Sequence, residues 1–270
     1  MRLKKILLVT MFILGSILLL ISVFGLFKSL RNEELYSEIT PYKDDISIGF
    51  EEAKKQWKQG EMESDKEFAA RVTMLVNSSM AHYWRDEGIN KYHMKIPVWE
   101  NYILSIKQWI TGNKKYEFRN YKKVIERGVG ICSQPCIGLK YLLNANGIEA
   151  DLWDLQGHII VGTTFEDGTE YTLDPDYGYV IPFGMKALQE DPELIREAYI
   201  HHDKVYAPHL KEHKHTEDIV SMYTQEGNGI YYMKKPFEDF SYWAKWILPI
   251  LLILPYFSTI SRRLSVRKKA

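Results

Sequence analysis

The sequence predicts an α+β domain carried between two membrane-crossing helices. Three observations lead there. A long apolar run lies near each end of the chain, helical periodicity recurs between residues 64 and 146, and beyond Gly147 the period shifts to that of strands.

Residues 6–27 form the first apolar run, about 22 residues long, which at about 1.5 Å of rise per residue is enough to cross a hydrocarbon core of about 30 Å. The run exceeds the apolar segment of a signal peptide, so an uncleaved anchor is expected. A second span is expected over residues 243–260. Trp243, Trp246 and Tyr256 suit membrane interfaces, Lys245 can snorkel to the headgroups, and Pro249 and Pro255 are tolerated where neighbouring helices re-satisfy freed carbonyls. Arg2, Lys4 and Lys5 precede the first run, and Arg262, Arg263, Arg267, Lys268 and Lys269 follow the second. This charge bias predicts that residues 1–5 and 261–270 are cytoplasmic and that residues 28–242 form an extracytoplasmic domain with its core over 64–200.

Within that domain, residues 32–45 read as a polar linker. A capping box of Ser64 and Glu67 opens a helix predicted to reach Trp84, with Phe68, Val72, Leu75, Val76, Met80 and Tyr83 on one face. Further helices are predicted over 97–110, 119–127 and 132–146, the last stopped by Asn146-Gly147. Residues 148–156, 158–165 and 170–174 read as strands, the last two joined through a turn at Glu166-Asp167-Gly168. This is an antiparallel sheet following helices.

The 270 residues carry 35 basic and 35 acidic side chains. That balance gives nucleic acid no electrostatic footing, and no nucleic-acid partner is expected. Cys132 and Cys136 are the only cysteines. Four residues apart on one helix they are poorly spaced for an unstrained disulfide, so Cys132 reads as a thiol and Cys136 as a core residue. His209, His213 and His215 lie among Lys211, Glu212 and Lys214 and read as a solvated polar loop; neither a metal nor any other cofactor is expected.

The chemistry centres on Cys132, which follows Gly128-Val-Gly-Ile at the mouth of the fourth helix. A thiol attacks a carbonyl as the thiolate, which a helix N-terminus and a neighbouring imidazolium both favour. The glycines allow a tight turn and leave backbone N–H groups beside the sulfur, where a developing oxyanion can be received. His158 opens the strand His-Ile-Ile-Val and reads as the base. Asp174, in Leu-Asp-Pro at the end of the next strand, reads as the carboxylate orienting it, with Asp176 as the alternative.

Glu126-Arg-Gly-Val-Gly-Ile-Cys132, the helix ending Asn146-Gly-Ile-Glu-Ala150, Gly157-His158 and Leu173-Asp174-Pro175 together resemble the core of the transglutaminase-like superfamily of papain-related cysteine enzymes. The resemblance covers residues 121–182. It implies a papain/transglutaminase-like core with Cys132 as nucleophile, His158 as base and Asp174 as orienting acid. It places no upstream oxyanion donor, for which Gln134 and Trp109 are the candidates. It implies a membrane-anchored cysteine peptidase or acyltransferase acting on a peptide, protein or surface polymer through an amide or ester. A non-catalytic scaffold that binds a membrane partner or surface polymer is the alternative, and an acetyltransferase-type enzyme shares the order of the three residues.

Overall fold

The computed structural model describes residues 2–32, 46–82, 94–206, 214–231 and 236–267. Most of the expected linker, together with Tyr83, Trp84, His209, His213, Lys268 and Lys269, lies outside the described residues. The fold is α+β, and the chain divides into two compact units: Met1–Leu30, His93–Tyr116 and Lys234–Ala270 in one, Arg31–Tyr92 and Glu117–Met233 in the other.

The first unit holds α1 (Arg2–Gly25), α4 (Val98–Thr111) and α10 (Pro236–Arg267). Helices α1 and α10 are long and apolar enough to cross a membrane. They run antiparallel. Phe12 stacks on Tyr256 with ring centroids 4.6 Å apart, and Ser22 Oγ reaches the Lys245 carbonyl at 3.4 Å. Between these contacts Gly15 allows close approach, since a Cβ there would lie 2.7 Å from the Pro249 carbonyl oxygen. Pro249 has no N–H for the carbonyl of Lys245 four residues earlier. That carbonyl instead accepts from Tyr102 Oη at 3.2 Å and from Ser22, so neighbouring helices serve the freed group as the sequence suggests. Lys245 does not snorkel: its side chain is buried and donates to the Glu100 carbonyl at 2.7 Å. Residues 93–116, expected in the outer domain, group instead with the two long helices.

The second unit begins with α2 (Phe50–Gln56) and α3 (Asp65–Ser79). The capping box is present, Ser64 accepting from the Glu67 N–H while Glu67 accepts from the Ser64 N–H. Phe68, Val72, Leu75 and Val76 are buried as their spacing predicts. The helix ends at Ser79, short of the predicted Trp84. Met80 turns extended, and β1 (Ala81–His82) pairs in parallel with β2 (Val129–Gly130). Between them in sequence α5 (Tyr121–Arg127), capped by the Asn120 side chain, ends at Gly128 with φ of +64°. Helix α6 (Ser133–Ala145) follows, with Pro135 in its first turn, where no helical N–H is lost.

Strands β3 (Ala150–Asp154), β4 (Ile159–Thr164), β5 (Glu170–Asp174), β6 (Tyr179–Ile181) and β7 (Gly229–Ile230) form one antiparallel sheet ordered β6-β5-β4-β3-β7. The expected hairpin turn at residues 166–168 is present, with Gly168 at φ +79°. Helix α6 packs on β3 and β4, burying Cys136, Ile137, Leu139 and Leu143. Each fully buried aliphatic side chain of this kind contributes about 1.5–3 kcal/mol.

Helices α7 (Met185–Glu190), α8 (Glu193–Tyr206) and α9 (Lys214–Tyr223) complete the unit. Of the expected polar loop, Lys214 and His215 fall in α9, and residues 209–213 lie outside the described residues. Ile195 and Tyr199 on α8 and Ile219 and Tyr223 on α9 recur four apart and join Leu155, Ile160, Tyr177 and Leu188 in a second core.

Candidate catalytic site

The β4–β5 register brings the site together. Val161 lies opposite Leu173, so the next pair along the ladder sets Asp174 against Ile160. His158, two residues before Ile160, points to the same face, and diagonal neighbours on one face are within reach of long side chains. His158 Nε2 lies 2.7 Å from Asp174 Oδ2.

His158 sits just ahead of β4, on the arm of a tight turn. The Leu155 N–H bonds to the His158 carbonyl at 2.9 Å, and Gln156 at the tip has φ of +60°. That is an uncommon conformation for a residue with a Cβ. Two bonds hold it: the Gln156 N–H donates to Asp154 Oδ1 at 2.9 Å, and its side-chain amide donates to the Gly227 carbonyl at 3.1 Å.

The Asp174 carboxylate is completely buried and accepts four hydrogen bonds. Oδ2 takes His158 and the Tyr199 hydroxyl, the latter at 2.5 Å; Oδ1 takes the N–H groups of Asp176 at 3.0 Å and Tyr177 at 3.3 Å. Behind Tyr199, the Tyr223 hydroxyl lies 3.2 Å from the Tyr199 hydroxyl. The turn after Asp174 is fastened from α3, where Asn77 Nδ2 donates to the carbonyls of Pro175 at 3.2 Å and Asp176 at 3.0 Å. Asp176, the alternative acid, presents its backbone N–H to Asp174, and it is the Asp174 carboxylate that holds the imidazole.

Cys132 stands at the N-cap of α6, partly exposed, and its side chain is among the groups that act on the His158 imidazole. Since Nε2 faces Asp174, Nδ1 is the ring atom left for the thiol. Burial pulls the His158 pKa down. The Asp174 charge and hydrogen bond, with a further contribution from Cys132, outweigh it and hold His158 well above the ordinary imidazole value. Burial likewise opposes ionisation of Asp174, but the charge and hydrogen bond of His158, with Tyr199 and the Tyr177 N–H, keep it below the usual carboxylate range. The pair is therefore an imidazolium and a carboxylate at neutral pH, with the cation beside the thiol.

One turn along α6, Cys136 differs in every respect. It is fully buried, its thiol donates to the Ile159 carbonyl at 2.9 Å, and burial with the nearby Asp174 charge pushes its pKa well up. Neither cysteine is in a disulfide.

The two side chains expected as oxyanion donors are elsewhere. Gln134 is fully buried: Oε1 accepts from the Phe118 N–H at 2.9 Å and from Arg127 Nη2, and Nε2 donates to the Phe118 carbonyl at 2.9 Å. Its role there is to tie α6 to the preceding segment. Trp109 belongs to the other unit, where it is 83% exposed. At the mouth of α6 the N–H groups of Cys132 and Ser133 precede the first intrahelical bonds, and neither has an acceptor among the described backbone bonds. One belongs to the residue that carries the sulfur and the other to its neighbour.

Sequence reasoning missed Tyr199, Tyr223 and Asn77. The signal for the tyrosines was the apolar spacing of 195, 199, 219 and 223, hidden by the charged and histidine-rich residues between. Asn77 carried no signal, as an asparagine near a helix end has many uses. Comparison with protein-family models, with curated proteins and with solved structures finds no match to this chain.

Proposed function

We propose that this chain is a membrane-anchored cysteine enzyme of transglutaminase-like type, with its catalytic unit outside the cytoplasm, that takes an acyl group from an amide or ester of a peptide, protein or surface polymer. The single observation that carries the reading is the buried His158–Asp174 hydrogen bond, with the acid saturated and the partly exposed Cys132 thiol among the groups that act on the imidazole. The positively flanked apolar ends support the topology, with both termini cytoplasmic.

In the reaction the Cys132 thiolate attacks the carbonyl carbon, forming the C–S bond and placing negative charge on the oxygen, towards the Cys132 and Ser133 N–H groups. The intermediate collapses as His158 Nδ1–H gives its proton to the leaving nitrogen or oxygen, and the C–N or C–O bond breaks. This leaves a thioester. Water or an amine then attacks, His158 takes the incoming proton, the C–S bond breaks, and the thiolate–imidazolium pair is restored. Asp174 holds the ring and its charge throughout.

The test uses full-length protein in detergent with p-nitrophenyl acetate, followed by acid quench and peptide mass measurement. Acetylation at Cys132, faster than in a His158→Ala variant and absent from Cys136, is the expected result. No Cys132 adduct, or one whose rate ignores His158, would leave the non-catalytic scaffold as the better reading.

A further inference from the structure

Helix α4 has two unlike faces. Asn101 interrupts its first turn and caps the rest, its Oδ1 accepting from the N–H groups of Ile103 and Leu104, both at 3.1 Å. Asn101, Tyr102, Leu104 and Gln108 are buried. Ile106, Trp109 and Ile110, spaced so as to share the opposite side, are 52%, 83% and 70% exposed.

The partners of the buried face fix the level at which α4 lies. The Asn101 amide donates to Ser241 Oγ at 2.9 Å, Tyr242 Oη donates to Glu100 at 2.6 Å, Lys245 binds the Glu100 carbonyl, and Lys107 lies 4.3 Å from the centre of the Phe237 ring. On α1, a Cβ at Gly25 would come within 2.0 Å of the Trp99 carbonyl oxygen. Every one of these contacts falls at the C-terminal end of α1 or the N-terminal part of α10. Because those helices are antiparallel, these are one and the same end of the pair.

We infer that α4 is an interfacial anchor, with its Ile106, Trp109 and Ile110 face seated at the headgroup–acyl boundary of the bilayer that α1 and α10 cross. The inference rests on the reading of those two helices as spans. A helix fastened at the end of a spanning pair sits at interface depth, where tryptophan is enriched, and Phe24, Phe27, Phe240 and Trp243, near that same end of the pair in sequence, are exposed as well. Lys107 and Lys114 can carry their charge to the headgroups. A second copy of the chain fits less well. Three side chains bury at most roughly 500 Å², short of the roughly 800 Å² per partner of a specific protein interface.

The test places nitroxide labels at Ile106→Cys, Trp109→Cys, Ile110→Cys and, as a span reference, Ile250→Cys, in full-length Cys132→Ser protein reconstituted in phosphatidylcholine vesicles; the remaining Cys136 is buried. Collision with oxygen should exceed collision with a water-soluble nickel chelate at 106, 109 and 110. Loss of Trp fluorescence in vesicles of bromine-substituted lipid, smaller in Trp109→Phe than in wild type, is the label-free counterpart. If Ile250→Cys reads lipid while the α4 positions favour the nickel chelate, the anchor is overturned and the spans stand. If the α4 labels are shielded from both quenchers, protein covers the face and the anchor is again overturned. If Ile250→Cys itself favours the chelate, the spanning reading fails first and the anchor with it.

Discussion

Tyr199 donates its hydroxyl to the same Asp174 oxygen that holds the His158 ring, so a residue of α8 sets the position of the acid from behind. Tyr199→Phe keeps the ring and removes the donor. Loss of a hydrogen bond to a charged group costs about 1.5–3 kcal/mol, to be read from the denaturant midpoint, and turnover should fall by roughly ten- to a hundredfold on the same scale. The bond helps depress the Asp174 pKa, and a depressed acid contributes stability that is present above its unfolded value and lost as pH falls through the folded one. Acid unfolding of Tyr199→Phe should therefore begin at higher pH than in wild type. A pH-independent loss of stability would reduce Tyr199 to core packing.

Asp174→Asn removes the charge that raises His158 and leaves the burial that lowers it. The alkaline limb of the rate profile, where His158 loses the proton it must give to the leaving group, should move to lower pH. Alkylation of Cys132 at mildly acidic pH should slow for want of an imidazolium beside it. Asp176→Asn is the control. A shift there with none in Asp174→Asn would transfer the acid's role to Asp176.

Cys132→Ser should abolish acyl transfer with the fold intact. Cys136→Ala should keep activity and lose roughly 1–2 kcal/mol, the worth of a weak buried hydrogen bond and a small void. Thermal melts beside acylation rates check both, and equal inactivation of two folded variants would show that the cysteines have been exchanged.

Asn77→Ala frees the turn that follows Asp174 without touching the Cys132–His158–Asp174 series. Turnover should drop while KM changes little, and Asn77→Asp, which cannot donate to the two carbonyls, should behave alike. A change confined to KM would place Asn77 in substrate binding instead.

Reporter fusions at Met1 and Ala270 should read inside and an insertion beside Asn228 outside. An external C-terminus would reverse the topology of the catalytic unit.

Local signals carried much of the fold. The capping box at Ser64, the glycine stops at Gly128 and Gly147 and the period change after Gly147 each depend on residues within a few positions of one another, and each element lies where these place it. The pairing of His158 with Asp174 was legible because strand alternation and a short hairpin nearly determine the register. What depends on distant partners was not. Met80 to His82 leave the helical pattern because β2 offers them a ladder, and Gln134 turns inward because the Phe118 backbone needs a partner. Residues 97–110 read as a helix of the outer domain, since periodicity reveals that a face is buried and not what buries it. Tyr199 comes from 25 residues beyond Asp174, across a segment whose polar composition concealed two helices.

The Lys245 carbonyl left without a helical donor by Pro249 bears on how the protein can be cut for study. Trimming both apolar ends to leave residues 28–242, the obvious route to a water-soluble fragment, would keep Ser241 and Tyr242 but remove Lys245, to which Glu100 and Tyr102 are bonded, together with most of the two long helices on which α4 packs. The full-length chain would meanwhile be the form in which α10 keeps its proline, since Ser22 on α1 and Tyr102 on α4 supply donors in place of the missing one. A fragment that omits α4 together with α1 and α10 divides the chain where the two compact units divide, and is the better candidate for an isolated catalytic body.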